Sequence, residues 1–216
     1  MDPAERLVKL SYAVVDVETT GGSPWLGHRV TEVAAVIVRD GRVIDRFETL
    51  VNPERSIPPF ITRLTHITQA MVRDQPTFGD ITPRLVSFLH NRVFVAHNVA
   101  FDRKFVGAEV WWAGGRFTAP GILCTVRLAR RLLPHLRRRS LDQVAHHYGI
   151  RIEGRHRAMG DALATAQCLI RLLDDAGARG LDNWGELDQL LQARTGAARR
   201  RRRSALPQIG IWELGA

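Results

Sequence analysis

Apolar and polar positions alternate over residues 10–17, with Ala13, Val15 and Val17 on one side and Tyr12, Val14 and Asp16 on the other. A period of two predicts a β-strand. A second apolar run covers residues 30–38, then Asp40-Gly41, then a third β-rich run over residues 42–51. A residue pair that tolerates positive φ between two such runs signals a hairpin. The chain is therefore expected to open with three strands, at least two of them antiparallel. Pro53, Pro58 and Pro59 then interrupt it, and short helical pieces are expected over residues 59–64 and 68–72. Residues 80–90 carry Ile81, Leu85, Val86, Phe88 and Leu89 at helical spacing, with Pro83 expected in the first turn. A short buried strand over 93–96 leads into a helix over 101–112, ended by Gly114-Gly115. Another short strand is expected over 121–124 and a helix over 125–133, stopped near Pro134. Ser140 and Gln143 have the spacing of a capping box for a helix ending near Gly149. Ala162, Leu163, Ala166, Leu169, Ile170 and Leu173 form the apolar stripe of a long helix over 159–176. A last helix is expected over 183–194. Strands first, then helices alternating with short strands, predict an α/β or α+β domain around a mixed sheet.

The pattern ends near residue 195. Gly196-Ala197-Ala198 leads into five adjacent arginines, 199–203, and a run of like charges does not favour a packed element. Residues 1–195 thus read as one domain and 196–216 as a basic, mobile tail.

Composition narrows the class. Of 216 residues, 45% are hydrophobic and 25% charged, as in globular rather than disordered or fibrous proteins. The length suffices for a core without disulfide or metal staples. Only Cys124 and Cys168 are present, which excludes a secreted disulfide scaffold. No apolar run has the length of a membrane span, and the first residues lack a signal-peptide pattern. The expectation is a cytoplasmic protein with no membrane partner. The net charge of +9 suggests a polyanionic partner. It is not evenly spread: residues 194–216 carry six arginines and one acid, and residues 122–141 carry six arginines and no acid. The remainder is slightly acidic.

Three groups of residues carry candidate chemistry. Asp16 and Glu18 stand two apart at the end of the first strand, so both side chains leave the same face. Carboxylates that close repel unless a cation lies between them, and a hard divalent ion such as Mg²⁺ or Mn²⁺ is the natural partner. The second group, His97-Asn98-Val99-Ala100-Phe101-Asp102, runs from strand into helix; the third, His156-Arg157-Ala158-Met159-Gly160-Asp161, opens the long helix. Taken singly, Asp102 and Asp161 suit any helix start, where the dipole favours negative charge. His97 and Asn98 would suit capping positions, and His156 an ordinary loop. Tyr12, Trp111 and Trp112 are read as core packing.

Taken together, over roughly residues 10–176, the groups resemble the DEDDh 3′→5′ exonucleases, and most of all their proofreading branch, the epsilon subunits of bacterial DNA polymerase III. Asp16-Val17-Glu18-Thr19-Thr20-Gly21 is similar to the first motif. The 97–102 and 156–161 segments resemble the second and third, with the five-residue His-to-Asp spacing of the "h" subgroup. The resemblance implies a ribonuclease H-like α/β fold: a mixed central sheet with a three-stranded antiparallel start and then short parallel strands, flanked by helices. It implies that Asp16, Glu18, Asp102 and Asp161 hold two divalent cations, Mg²⁺ or Mn²⁺, and that His156 takes a proton from the attacking water. Thr19, Thr20, Gly21, Asn98 and Phe101 would contact substrate. His66, where the family has a His-Gly-Ile segment, would join them in binding substrate, although here Ile67 replaces the glycine.

The implied activity is removal of nucleoside 5′-monophosphates from the 3′ end of single-stranded or mispaired DNA, in proofreading or repair. The implied setting is bacterial and close to the nucleoid. RNA trimming on the same fold, as by oligoribonuclease, is the alternative; the 2′-hydroxyl decides between them. A non-catalytic nucleic-acid-binding or polymerase-tethering module is a further reading, disfavoured because no carboxylate or histidine of the set is missing. In the tail, Gln208, Ile211 and Trp212 resemble the short peptides that dock on the bacterial sliding clamp, and a polymerase catalytic subunit is the other expected partner.

Overall fold

β1 (Tyr12–Thr19) lies at the centre of a five-stranded sheet and carries Asp16 and Glu18 of the candidate site. It pairs antiparallel with β2 (Val30–Arg39) and parallel with β4 (Val93–Ala96). β3 (Arg42–Leu50) and β5 (Ile122–Cys124) complete the order β3-β2-β1-β4-β5. The β2–β3 turn uses Asp40 (φ 49°) and Gly41 (φ 69°), the two positive φ values that a tight hairpin matched to strand twist requires. This computed structural model describes residues 1–193. The expected tail, the 195/196 boundary and the expected clamp-binding residues Gln208, Ile211 and Trp212 lie outside the described residues.

The helices are α1 (Pro59–Thr65), α2 (Gln69–Val72), α3 (Phe78–Leu89), α4 (Val99–Trp112), α5 (Thr125–Leu132), α6 (Leu141–His147), α7 (Ala158–Gly177) and α8 (Trp184–Gln192). The alternation along β1 sorts them into two layers. Ala13, Val15 and Val17 join Phe78, Leu85, Phe105 and Val110 in a core beneath α3 and α4. Tyr12 and Val14 join Leu128, Val144, Ala162 and Leu169 in a second core beneath α5, α6 and α7. β1, β2 and β4 are buried on both faces, as the parallel connections require, while the antiparallel edge strand β3 is largely exposed. Among the described residues, no helix is long and apolar enough to cross a membrane.

Several local expectations change, and α4 begins at Val99 rather than at the expected Phe101. α3 begins two residues early because Thr77 and Asp80 make a reciprocal cap: Thr77 Oγ1 accepts from the Asp80 N–H, and Asp80 Oδ2 accepts from the Thr77 N–H at 2.8 Å. Pro83 therefore falls in the second turn, where it removes a backbone donor. Ser140 caps α6 by accepting from the Gln143 N–H, but no return bond from the Gln143 side chain completes the box. Tyr12 is core, its hydroxyl donating to the Leu7 carbonyl at 2.8 Å. Trp111 and Trp112 are not: they are 66% and 40% exposed, at the solvent end of α4. Apolar character at the end of a helix did not distinguish a buried face from an outward one.

Candidate active site

The site lies beyond the carboxyl ends of β1 and β4, the edge where open α/β sheets bind ligands. β1 pairs with β4 only through Tyr12, Ala13 and Val14, so its last residues run free of that neighbour. A register shift between Glu18 and Thr19 ends the regular β2 pairing as well. Asp16 and Glu18 continue the face of Tyr12 and Val14 and so point toward α7, whose first turn supplies Asp161. Carboxylate oxygens of Asp16, Glu18 and Asp161 lie within 4.8 Å of one another. Asp102 arrives on α4 from the other layer. It is buried, and its Oδ1 accepts from the Val17 N–H, a donor that β4 does not reach, at 3.2 Å. It stands beside the trio rather than in it.

Crowding of these acids raises their proton affinity. Loss of hydration pushes Asp16 well above the usual carboxylate range, and Asp102, Glu18 and Asp161 push it further. Glu18 rises to about 8, through burial first and then through Asp161 and Glu32. Burial takes Asp102 to about 7 against the pull of its hydrogen bonds to backbone N–H groups. Asp161 is also raised by burial, and Arg155 and His156 oppose the shift. Asp161 Oδ2 takes an ion pair from Arg155, whose guanidinium also meets Asp142 at 2.9 Å, while buried Asp161 Oδ1 has no partner among the described residues. A cluster of carboxylates with an orphaned oxygen and a cation already drawn to its edge fits hard divalent ions with oxygen ligands.

The other motif residues divide. His156 holds a left-handed backbone conformation (φ 62°) in the loop before α7. Gly160 lets that loop cross the first turn of α7, since a Cβ there would run into the Glu153 and Gly154 carbonyl oxygens. Asn98 is also left-handed (φ 85°) and exposed; it stands at the N-cap position of α4 without a side-chain capping bond. Phe101 is half-buried against Phe105, ring centroids 5.0 Å apart. His97 is held by Thr125 Oγ1 and the Arg139 carbonyl, each at 2.9 Å, and burial lowers its pKa to about 4. Because a carbonyl only accepts, Nε2 of this neutral ring carries the proton and Nδ1 accepts from Thr125. His97 thus ties the end of β4 to the 133–140 loop.

Some expected substrate contacts are placed elsewhere. Thr20 is fully buried, and its hydroxyl accepts from the Arg29 N–H at 3.0 Å, so its side chain does not face the cleft. The Thr19 hydroxyl donates to the Gly21 carbonyl at 2.7 Å, and Gly21 packs against the His28 ring. What these residues build is the turn that leaves β1. His66 is exposed at the left-handed end of α1 (φ 60°), and Ile67 is buried in a small satellite cluster with Ile57, Ile61 and Val72. The arginine-rich 122–141 segment is partly structural: Arg127 and Arg131 donate to the Leu191 carbonyl, and Arg139 to the carbonyls of Leu133 and Pro134.

Three supporting residues carry no sequence expectation. Glu32 on β2 is fully buried; it accepts from Arg157 Nε at 3.1 Å and from the Ala158 N–H at 2.8 Å, fixing the start of α7. Glu109 on α4 does the same for Arg29 and the Val30 N–H, both at 3.0 Å. Arg155 is the third. For the glutamates a signal existed: an acid inside an otherwise apolar run, Val30 to Val38 or Phe105 to Trp112.

Comparison with known proteins shows the family. A family model described as "Exonuclease" matches residues 13–169. DNA polymerase III PolC-type of Clostridium perfringens is 44% identical over 158 residues, 73% of this chain and 11% of that protein. DNA polymerase III subunit epsilon of Aquifex aeolicus is 36% identical over 172 residues, 79% of this chain and 84% of that one. The solved structure of exonuclease X in complex with 5′ overhanging duplex DNA superposes with a TM-score of 0.64 at 29% identity, covering 84% of this chain and 99% of that one. The chain spans only 11–32% of the length of several longer curated relatives. The chain belongs to the exonuclease family, in the DEDDh group of 3′→5′ exonucleases related to DNA polymerase III epsilon.

Proposed function

We propose that this chain removes nucleoside 5′-monophosphates from the 3′ end of single-stranded or mispaired DNA, in proofreading or repair. One observation carries the reading: Asp16, Glu18 and Asp161 bring ligand oxygens within 4.8 Å of one another, with Asp102 fixed beside them on the Val17 N–H. Asp16, Glu18, Asp102 and Asp161 would hold two divalent cations, Mg²⁺ or Mn²⁺. When bound, such ions acidify water and neutralise charge on a departing oxygen. The residues of the chain do the rest. His156 takes the proton of the attacking water, a role suited to a histidine at neutral pH. Glu32 holds the helix start that places Asp161, and Asn98 and Phe101 flank the 3′-terminal nucleotide. The names of the relatives, polymerase subunits among them, support a DNA substrate and a polymerase partner; a sliding-clamp partner rests on the Gln208, Ile211 and Trp212 sequence alone. Cys124 and Cys168, both free and buried, suit a reducing cytoplasmic setting.

The test is degradation of 5′-labelled single-stranded DNA and RNA oligomers of matched sequence, with Mn²⁺ or Mg²⁺. The expected result is a ladder shortening from the 3′ end of DNA, with 5′-mononucleotide product. Cleavage of RNA alone, or shortening from the 5′ end, overturns the reading.

A further inference from the structure

The outward face of α4 carries a surface that the catalytic reading does not use. Ala100, Arg103, Lys104, Gly107 and Trp111 recur at the spacing of one helical face, with buried Ala108 at the floor. The buried residues of the helix are Asp102, Phe105, Val106, Ala108, Glu109 and Val110. The small residues in the middle leave a trough of about 590 Å³ between Trp111 and Trp25, the latter on the turn after β1. Trp25 and Trp111 are 69% and 66% exposed, and Trp25 is propped edge-on against Trp112, centroids 6.1 Å apart. A rise of 1.5 Å per residue makes the trough about 16 Å long from Ala100 to Trp111.

Three properties point to its occupant. First, the lining is cationic: Arg103 and Lys104 are present and no acid is. Arg103 is exposed and forms no hydrogen bond or ion pair among the described residues. Lys104, one of only two lysines in the chain, donates to the Gly22 carbonyl at 2.7 Å and lies 5.1 Å above the Phe101 ring. Second, the charges lie between two exposed indoles, and alternating cations and aromatic faces are how single-stranded nucleic acid is held without regard to sequence. Third, the trough adjoins the turn that leaves β1, the strand carrying Asp16 and Glu18: Lys104, in its lining, donates to the Gly22 carbonyl in that turn.

We infer that this trough binds the single strand leading to the cleaved 3′ end, with bases stacking on Trp25 and Trp111 and backbone phosphates meeting Arg103. The inference rests on the nuclease reading but concerns a separate surface.

Gly107 allows a test that spares the fold. A Cβ there meets nothing within 4 Å, so a side chain projects into the trough. Glutamate also favours helix over glycine. Binding of a fluorescein-labelled 15-nucleotide oligothymidylate is measured by anisotropy in EDTA, where no hydrolysis occurs. Gly107→Glu and the Trp25→Ala/Trp111→Ala double variant should each weaken binding about tenfold or more, as loss of stacking or added repulsion requires. Gly107→Ala should bind within about twofold of wild type. In parallel, Mn²⁺-dependent hydrolysis of the 5′-p-nitrophenyl ester of thymidine monophosphate reports the acid site without a strand. The ratio of oligomer to ester kcat/KM should fall about tenfold in both variants. Wild-type oligomer affinity in both, with melting temperatures unchanged, would overturn the inference and leave the nuclease reading intact. A wild-type protein that hydrolyses neither substrate would instead remove the nuclease reading, and the anisotropy would still decide the trough.

Discussion

α4 and α7 each bring one buried aspartate to the same sheet edge, and each is tied to the sheet by a buried glutamate paired with an arginine. The ties are mirror images. For α7 the glutamate belongs to the sheet: Glu32 grips Arg157 and the first N–H of the helix, three residues before Asp161. For α4 the glutamate belongs to the helix: Glu109 lies seven residues past Asp102 and grips Arg29 and Val30 at the start of β2. The α7 tie therefore sets the site, while the α4 tie secures the scaffold. α4 can use a distant tie because Asp102 has its own anchor, the Val17 N–H. Asp161 has no backbone anchor on the sheet; its position depends on the helix start and on the loop that folds over Gly160.

The largest expected effect is on that loop. His156→Ala should lower kcat by about 10²- to 10⁴-fold, the range for loss of general base catalysis, while Mn²⁺ binding measured by calorimetry persists. Near-normal turnover would show that the α7 loop supplies position and no proton transfer. Next comes the pair that decides the contrast directly. Both Glu32→Ala and Glu109→Ala leave a partly exposed arginine and a buried backbone N–H without their acceptor, and each should cost about 2 kcal/mol, or roughly 6 °C in melting temperature. Only Glu32→Ala should also lower kcat about 100-fold, the cost of a small misplacement of catalytic groups. Equal losses of kcat in the two variants would erase the distinction between the helices. Gly160→Ala should have a smaller effect, about tenfold in kcat, by pushing the 153–154 backbone off the first turn of α7. A wild-type rate would show that the crossing is not needed.

The smallest effect is in stability against pH. Glu18 and Asp102 bind a proton more tightly in the folded chain, at about 8 and about 7, than in the unfolded chain at ordinary carboxylate values near 4. Such groups contribute stability that is complete below about pH 4 and is lost as pH rises through 7 to 8. Asp16 and Asp161 act in the same direction. In EDTA the melting temperature should therefore fall by a few degrees between about pH 5 and 8, and Mn²⁺ should flatten that slope by favouring the charged carboxylates. A melting temperature that rises with pH in EDTA would mean that the acids are not crowded as described.

Sequence periodicity alone determined most of the element order, because each element is amphipathic with respect to one of two cores: a period of two along β1 and β2, 3.6 along α3 and α7. It also determined that Asp16 and Glu18 share a face, since nothing but strand geometry is needed for that. It could place Asp102 and Asp161 only at helix starts, where an acid is ordinary. Only the tertiary structure brings them from opposite layers to one edge, because β4 stops short of the end of β1 and leaves room and a free N–H there. The same limit explains the misjudged residues. A threonine such as Thr20 and a tryptophan such as Trp111 carry no local sign of whether they face the interior or solvent; long-range packing against Arg29, or its lack past the end of α4, decides that. The buried partners Glu32 and Glu109 lie about 80 or more residues from the segments they hold. No local pattern shows such a pairing, yet a charge cannot be buried without it.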